Sequence, residues 1–172
     1  MGIKARIAAA VLGASLLSVG GISLIKSHEG LRYTAYPDPG TGGVPWTICY
    51  GHTKDVRPGQ TATQAQCDRY LREDLAEAEY TLKGTTRVAL TQGEYNAYVS
   101  FIFNAGASNW RSSSMLRLLN QGDRVAACNQ FPRWVYANKR KLKGLVTRRY
   151  EEQALCLSFG RIVYDPAQHQ SP

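Results

Sequence analysis

The 172-residue chain reads as a mostly helical α+β protein, with a helical body, a small β-hairpin lobe near its start and an apolar segment ahead of both. Three observations carry this reading. Apolar residues recur at helical spacing over several stretches that open on capping residues. A Gly/Pro turn from Pro39 to Pro45 separates a tyrosine-rich run from the apolar run Val44 to Tyr50, the pattern of a hairpin. Finally, Ile7 to Ile25 is nineteen residues without a charge, close to the about 20 helical residues that cross a bilayer core.

That N-terminal run predicts a membrane helix. Lys4 and Arg6 before it, with Lys26 after it, put the N-terminus on the cytoplasmic side and the body outside. Ten of the nineteen residues are Ala, Gly or Ser, however, and a helix so poor in large side chains gains little from lipid. Three readings stand: a cleaved signal with Ser18-Val19-Gly20 as a small-x-small site, a stable anchor, and a weak anchor that leaves the bilayer. The third is favoured by position, because only Lys26-Ser27-His28 separates the run from Glu29.

The body follows in order. Thr63 with Gln66 forms a capping-box pattern opening a helix whose stripe, Tyr70, Leu71, Leu75, Ala78 and Leu82, runs to Gly84. Thr91 with Glu94 repeats the box before Tyr95, Tyr98, Val99, Ile102 and Phe103, the expected core helix, which ends at Ala105-Gly106. A shorter helix spans Ser112 to Asn120, another runs from Asp123 to Phe131, and the last covers Leu145 to Ser158. Lys139-Arg140-Lys141 and Lys143 make a basic turn before it, and residues 161–172 read as a loose tail.

The formal charge is +8, which suits polyanionic partners such as anionic lipid or an acidic wall polymer. No basic-aromatic nucleic-acid motif is present, so nucleic acid is not expected as a partner. Four cysteines allow three pairings. Proximity within each lobe favours Cys49 with Cys67 and Cys128 with Cys156, and an export signal would permit both bonds. Cys49-x-x-His52 has metal-like spacing, but no second pair completes a site, so neither metal nor other cofactor is expected.

The stretch from Glu29 to Thr53 carries the candidate chemistry. Glu29 and Asp38 are two carboxylates, and Thr47 adds a hydroxyl beyond the turn. Folded into one cleft, they would suit glycosidic hydrolysis: one acid protonates the leaving oxygen while a base holds a water on the far face of the sugar. Each has a plainer role: Glu29 as a helix-start residue on the macrodipole, Asp38 as a turn residue, Thr47 as a strand threonine. An acid at Glu29 needs its pKa raised, which burial beside apolar groups achieves. His52 reads as a structural hydrogen-bonding residue. Arg148 and Arg149 read either as partners of Glu29 or as a solvated basic face, and Trp134 reads as core.

Glu29, eight residues, Asp38, then Thr47-Ile48-Cys49-Tyr50-Gly51-His52-Thr53 resembles the active-site region of the phage-type lysozymes, glycoside hydrolase family 24. The resemblance continues through Phe103-Asn104-Ala105-Gly106, Leu116 to Asp123, Arg133-Trp134-Val135 and Gly144 to Arg149, covering residues 28–160. With the weak segment in front, it extends to the signal-anchor-release endolysins. It implies a two-lobed lysozyme-like domain at 28–160 behind a signal-anchor-release segment at 1–27. It also implies an inverting muramidase that cuts peptidoglycan and lyses the host, with Glu29, Asp38 and Thr47 catalytic. The enzyme would sit in the host inner membrane through residues 7–25, facing the periplasm, and then be released into it. Eight residues separate Asp38 from Thr47 where the family has five, and Asn138-Lys139-Arg140 replaces a Gly-rich turn. A membrane-tethered protein that binds peptidoglycan without cutting it is the alternative.

Overall fold

The structure is a computed structural model that describes residues 14–37 and 42–168. The first elements among the described residues are α1 (Val19–Glu29) and the hairpin β1 (Arg32–Pro37) and β2 (Trp46–Cys49). The long α2 (Gln64–Thr85) follows, then β3 (Leu90–Thr91), α3 (Gln92–Ala105), α4 (Ala107–Ser112), α5 (Ser114–Asn120) and α6 (Arg124–Cys128). A short 3-10 turn, Phe131–Arg133, leads to a second hairpin, β4 (Tyr136–Ala137) and β5 (Arg140–Lys141). Then come α7 (Lys143–Leu157), β6 (Ile162–Tyr164) and a last 3-10 turn, Pro166–Gln168.

Both capping boxes form, Thr63 with Gln66 and Thr91 with Glu94, each satisfying two otherwise orphaned N–H groups. The second opens α3, the centre of the body, where every residue from Gly93 to Ile102 is buried. Helix α7 crosses it at close range: a Cβ on Gly93 would lie 2.3 Å from the carbonyl oxygen of Leu155. Tyr98 and Phe101 of α3 form an aromatic cluster with Trp110 and Phe131. The small lobe is the antiparallel β1–β2 pair, with Tyr36 opposite Thr47 and Pro37 opposite Trp46. Cys49–Cys67 bonds that lobe to α2, and Cys128–Cys156 bonds α6 to α7, the favoured pairing in both cases.

The structure corrects several sequence expectations. The tail is not loose through 168: Ile162 and Tyr164 pair with Thr91 and Leu90, and the buried Tyr164 donates its hydroxyl hydrogen to Lys83 O at 3.0 Å. Residues 169–172 lie outside the described residues. Gly84 does not end α2; Thr85 continues it, held by Trp110 Nε1 donating to its hydroxyl and Asn120 Nδ2 donating to its carbonyl. The expected helix from Ser112 to Asn120 is α5 and starts two residues later: Ser112 ends the separate helix α4, and the extended Ser113 accepts the Leu116 N–H on its hydroxyl as the N-cap of α5.

The expected membrane helix, residues 7–25, is described only in its second half. Residues 7–13 lie outside the described residues, and among the described ones no helix is long and apolar enough to cross a membrane. Residues 14–18 are irregular and α1 starts at the Ser18 cap. This segment lies on the body. Ser15 Oγ and Leu16 N donate to Glu79 at 2.9 and 3.0 Å, and Ser18 N donates to Asn96 Oδ1 at 3.1 Å. Asn96 Nδ2 donates back to Ser18 Oγ at 2.7 Å, and Gln92 Nε2 donates to the Leu16 carbonyl at 2.9 Å. Ile25 is fully buried, and Gly21 meets α3 at Asn96. Gly21, one of the small residues that make the run a poor membrane helix, is what allows this close approach to α3. The expected boundary after residue 27 falls inside α1.

Candidate active site

Glu29 is the last residue of α1, and Gly30, at φ +68°, ends the helix there. This corrects the helix-start alternative: the C-terminal end of the helix dipole disfavours a carboxylate. Its counter-charge comes from far along the chain. Arg148, on α7, donates from Nη1 to Glu29 Oε1 at 2.5 Å. The Glu29 side chain is 17% exposed, so this pair is shielded but reachable from the cleft. Two further ties set the end of α1: Lys26 Nζ to Asp68 on α2 at 2.8 Å, and His28 Nε2 to Glu151 on α7 at 2.7 Å.

Both arginines of the Thr147-Arg148-Arg149 motif are buried, so the solvated basic face does not hold. A fully buried carboxylate, Glu152, joins them: Oε1 accepts from Arg148 Nε at 3.0 Å and from Ser100 Oγ at 2.6 Å, while Oε2 accepts from Arg149 Nη1. Arg149 also donates to Asn104 Oδ1 and to the Trp134 carbonyl. Burial pushes the Arg149 guanidinium below its ordinary pKa, and the Glu152 charge opposes that shift. One buried ion cluster thus sets the positions of Glu29 and of Asn104. Glu152 and Ser100 were not singled out from sequence, and Asn104 stood there only as part of the Phe103-Asn104-Ala105-Gly106 motif, with no role. The visible signal was Glu152 at three and four residues beyond the arginines, the spacing of helical ion pairs.

Glu29 lies on the wall of a cleft of about 430 Å³. Gly51, Thr53 and Lys54 line it from the small lobe, Asp74, Glu77 and Thr81 from α2, and Phe103, Asn104 and Gly106 from the end of α3. The cleft therefore runs between the lobes. Gly51 has φ +89°, and a Cβ there would sit 3.3 Å from Glu29 Oε2, so only glycine lets the Tyr50-Gly51-His52 turn pass this carboxylate unstrained.

The other two candidate residues stand differently. Thr47 is buried in β2 opposite Tyr36 and does not line the cleft as described. Asp38 lies outside the described residues, which resume at residue 42. His52 is a structural residue: its Nδ1 meets Asp74 at 2.9 Å, and its ring stacks on Tyr70 at 4.3 Å. Asp74 raises the His52 pKa. With Cys49 bonded to Cys67 and His52 facing Asp74, the Cys49-x-x-His52 pair is engaged in other contacts. Trp134 is half-buried with its ring edge on Phe101.

The family model described as "Phage lysozyme" matches residues 26–152, which takes in Glu29, the small lobe, α2 and the arginine cluster. The chain belongs to the phage lysozyme family. It is 44% identical to the SAR-endolysin of Bacteriophage PS119 over 130 residues, covering 75% of this chain and 76% of that one. It is 38% identical to the SAR-endolysin of Enterobacteria phage P21 over 160 residues, covering 90% and 95%. Among solved structures, the active form of P1 phage endolysin Lyz superposes with a TM-score of 0.77 at 27% identity, covering 92% of this chain and 95% of that one. Family membership makes this lysozyme a glycosidase, with its cleft between a β-hairpin lobe and a helical body.

Proposed function

We infer that this lysozyme is a phage endolysin that hydrolyses the β-1,4 bond between N-acetylmuramic acid and N-acetylglucosamine in bacterial peptidoglycan and so lyses the host cell. The observation that carries the reading is the Glu29 carboxylate on the wall of the cleft between the lobes, with one oxygen held by Arg148 and the other facing the Gly51 turn. Glu29 acts as the general acid and gives its proton to the leaving glycosidic oxygen. Asp38 acts as the general base and takes a proton from the attacking water; for the Thr47 hydroxyl to orient that water, this buried side chain on β2 has to turn toward the cleft when substrate binds. Attack from the face opposite the leaving group inverts the anomeric centre, as in glycoside hydrolase family 24. The two carboxyl groups would then stand about 6.5–9.5 Å apart in the enzyme-substrate complex. The balance of this reaction needs no metal or other cofactor.

Control of the enzyme follows from where Glu29 sits. Residues 7–25 anchor the new protein in the host inner membrane with the body in the periplasm. While they span the bilayer, the Gly21 and Ile25 contacts with the body cannot form, and α1 cannot bring Glu29 to Arg148. Loss of the membrane potential frees the segment, α1 packs on α3, and the released periplasmic enzyme is complete. The SAR-endolysin names of the relatives and the polar contacts of Ser15, Leu16 and Ser18 with the body support this reading. With no cysteine in residues 1–48, activation proceeds by docking rather than by a disulfide exchange within that segment.

The test is product analysis on purified peptidoglycan with the full chain. New reducing ends on muramic acid, formed first as the α-anomer, are expected. Muropeptides with β-anomers formed first would overturn inversion. Binding without any new reducing ends would favour the alternative, a tethered wall-binding protein.

A further inference from the structure

The second hairpin is not used by the chemistry described above. From Arg133 to Lys143 the chain carries five cations, Arg133, Lys139, Arg140, Lys141 and Lys143, and no acidic residue. All five are exposed, and none takes part in an ion pair among the described residues. Every residue from Tyr136 to Gly144 is exposed, so the β4–β5 ribbon stands clear of the body. None of them lines the cleft that holds Glu29. Two large apolar side chains flank the charges, Tyr136 at 63% and Leu142 at 42% exposure.

Two local choices go against stability. Asn138 and Lys139 both adopt left-handed backbone, φ +48° and +62°, as a two-residue turn of this hand requires. Glycine suits the second position, yet a lysine occupies it. Lys143 then opens α7, where the helix dipole is positive and favours acidic residues, and no side chain caps that end. Cations held at two unfavourable positions, beside a helix terminus of the same sign, indicate selection for positive charge at this place.

We propose that the β4–β5 hairpin and the start of α7 form a docking surface for an anionic lipid bilayer, with the cations on headgroup phosphates and Tyr136 and Leu142 at the interface. Clustered Lys and Arg are drawn to anionic leaflets, and aromatic and apolar side chains settle at the headgroup boundary. A hydrated glycan offers the cations carboxylates but gives the apolar Leu142 no comparable phase. The surface keeps the released enzyme on the membrane face next to the wall. For its cellular setting the inference rests on the membrane-released endolysin reading given above.

The experiment measures partition of the full-length chain onto vesicles of phosphatidylcholine alone and of phosphatidylcholine with phosphatidylglycerol. The ratio of the two partition constants cancels the contribution of the N-terminal apolar run, which is common to both. At roughly fivefold per cation near the surface, the parent should prefer the anionic vesicles by well over about tenfold, and less as salt rises. The variant Lys139→Gln, Arg140→Gln, Lys141→Gln, Lys143→Gln should lose at least about tenfold of that ratio. A control of equal net charge, Arg72→Gln, Arg87→Gln, Arg111→Gln, Arg117→Gln, should keep it. Equal losses in both variants, or none in the hairpin variant, would overturn the proposal. So would a parallel loss in clearing purified, lipid-free peptidoglycan by the hairpin variant, which would make the hairpin a wall-binding element. Failure of the endolysin reading shows separately, as failure of the parent to clear that peptidoglycan.

Discussion

Gly21 meets α3 with no room for a side chain: a Cβ there would lie 2.6 Å from Cγ of Asn96. The same glycine belongs to the apolar run that reads as a weak membrane helix. In the proposed release it therefore acts twice, by adding little to insertion and by fitting the packed state.

Gly20 separates the two effects, since a Cβ there would meet only Ser18 Oγ, at 3.7 Å. Each added leucine should hold the segment in lipid by roughly 0.5 kcal/mol. Leucine at Gly13, Gly20 and Gly21 together should keep the protein in the membrane fraction and delay lysis; unchanged lysis timing would sink the release account. In detergent, Gly20→Leu should melt near the parent. Gly21→Leu should lose about 1–3 kcal/mol through overpacking against Asn96.

Arg148 joins Glu29 to Glu152, and both it and Glu152 are buried. Arg148→Ala leaves Glu152 with less compensation and Glu29 without its partner. A loss of about 3–5 kcal/mol in denaturant unfolding is expected, together with a fall in clearing rate. Arg148→Lys restores charge without the forked geometry and should recover stability in part. Full activity in Arg148→Ala would show that Glu29 needs no such support.

His52 and Asp74 make stability depend on pH in a set direction. Asp74 raises the folded His52 pKa above its ordinary value near 6.5. The pair's contribution is therefore fully present below that ordinary value and is lost as pH rises through the raised folded pKa. Asp74→Asn should lower the melting temperature at pH 5.5 more than at pH 9. An equal drop at both values would contradict the assignment.

The two disulfides close loops of 18 and 28 residues. By chain entropy each should stabilise the fold by about 3 kcal/mol. Replacing Cys128 and Cys156 by Ala should lower unfolding free energy by that order. Replacing Cys49 and Cys67 should in addition loosen the small lobe, read as faster proteolysis between residues 30 and 60.

Local patterns in the sequence carried much of this fold. Both capping boxes, the β1–β2 hairpin and the disulfide partners follow from neighbours within a few tens of residues. Misreadings came where distant contacts override local preference. Thr85 extends α2 past Gly84 because Trp110 and Asn120 hold it. Ile162 to Tyr164 form a strand because β3, some seventy residues earlier, leaves an edge to pair with. At the site, Glu29 was legible from its motif. Its pairing with Arg148 depends on α1 and α7 meeting across 119 residues of chain, and the burial of Arg148, Arg149 and Glu152 depends on α7 packing against Ser100 and Asn104 of α3. The docked form of residues 14–25 was hidden for another reason: one composition serves a weak membrane helix and a close-packed surface segment.

In the proposed mechanism Glu29 is the acid of a peptidoglycan-cutting site that the docked N-terminal segment completes. The most direct test measures clearing of purified peptidoglycan by the full-length chain in detergent, beside Glu29→Gln. The parent should clear it with new reducing ends on muramic acid. Glu29→Gln should bind the wall, melt within a few degrees of the parent, and lose activity by about 100-fold or more, the scale of removing a general acid. A Glu29→Gln protein that clears at the parent's rate would contradict the account.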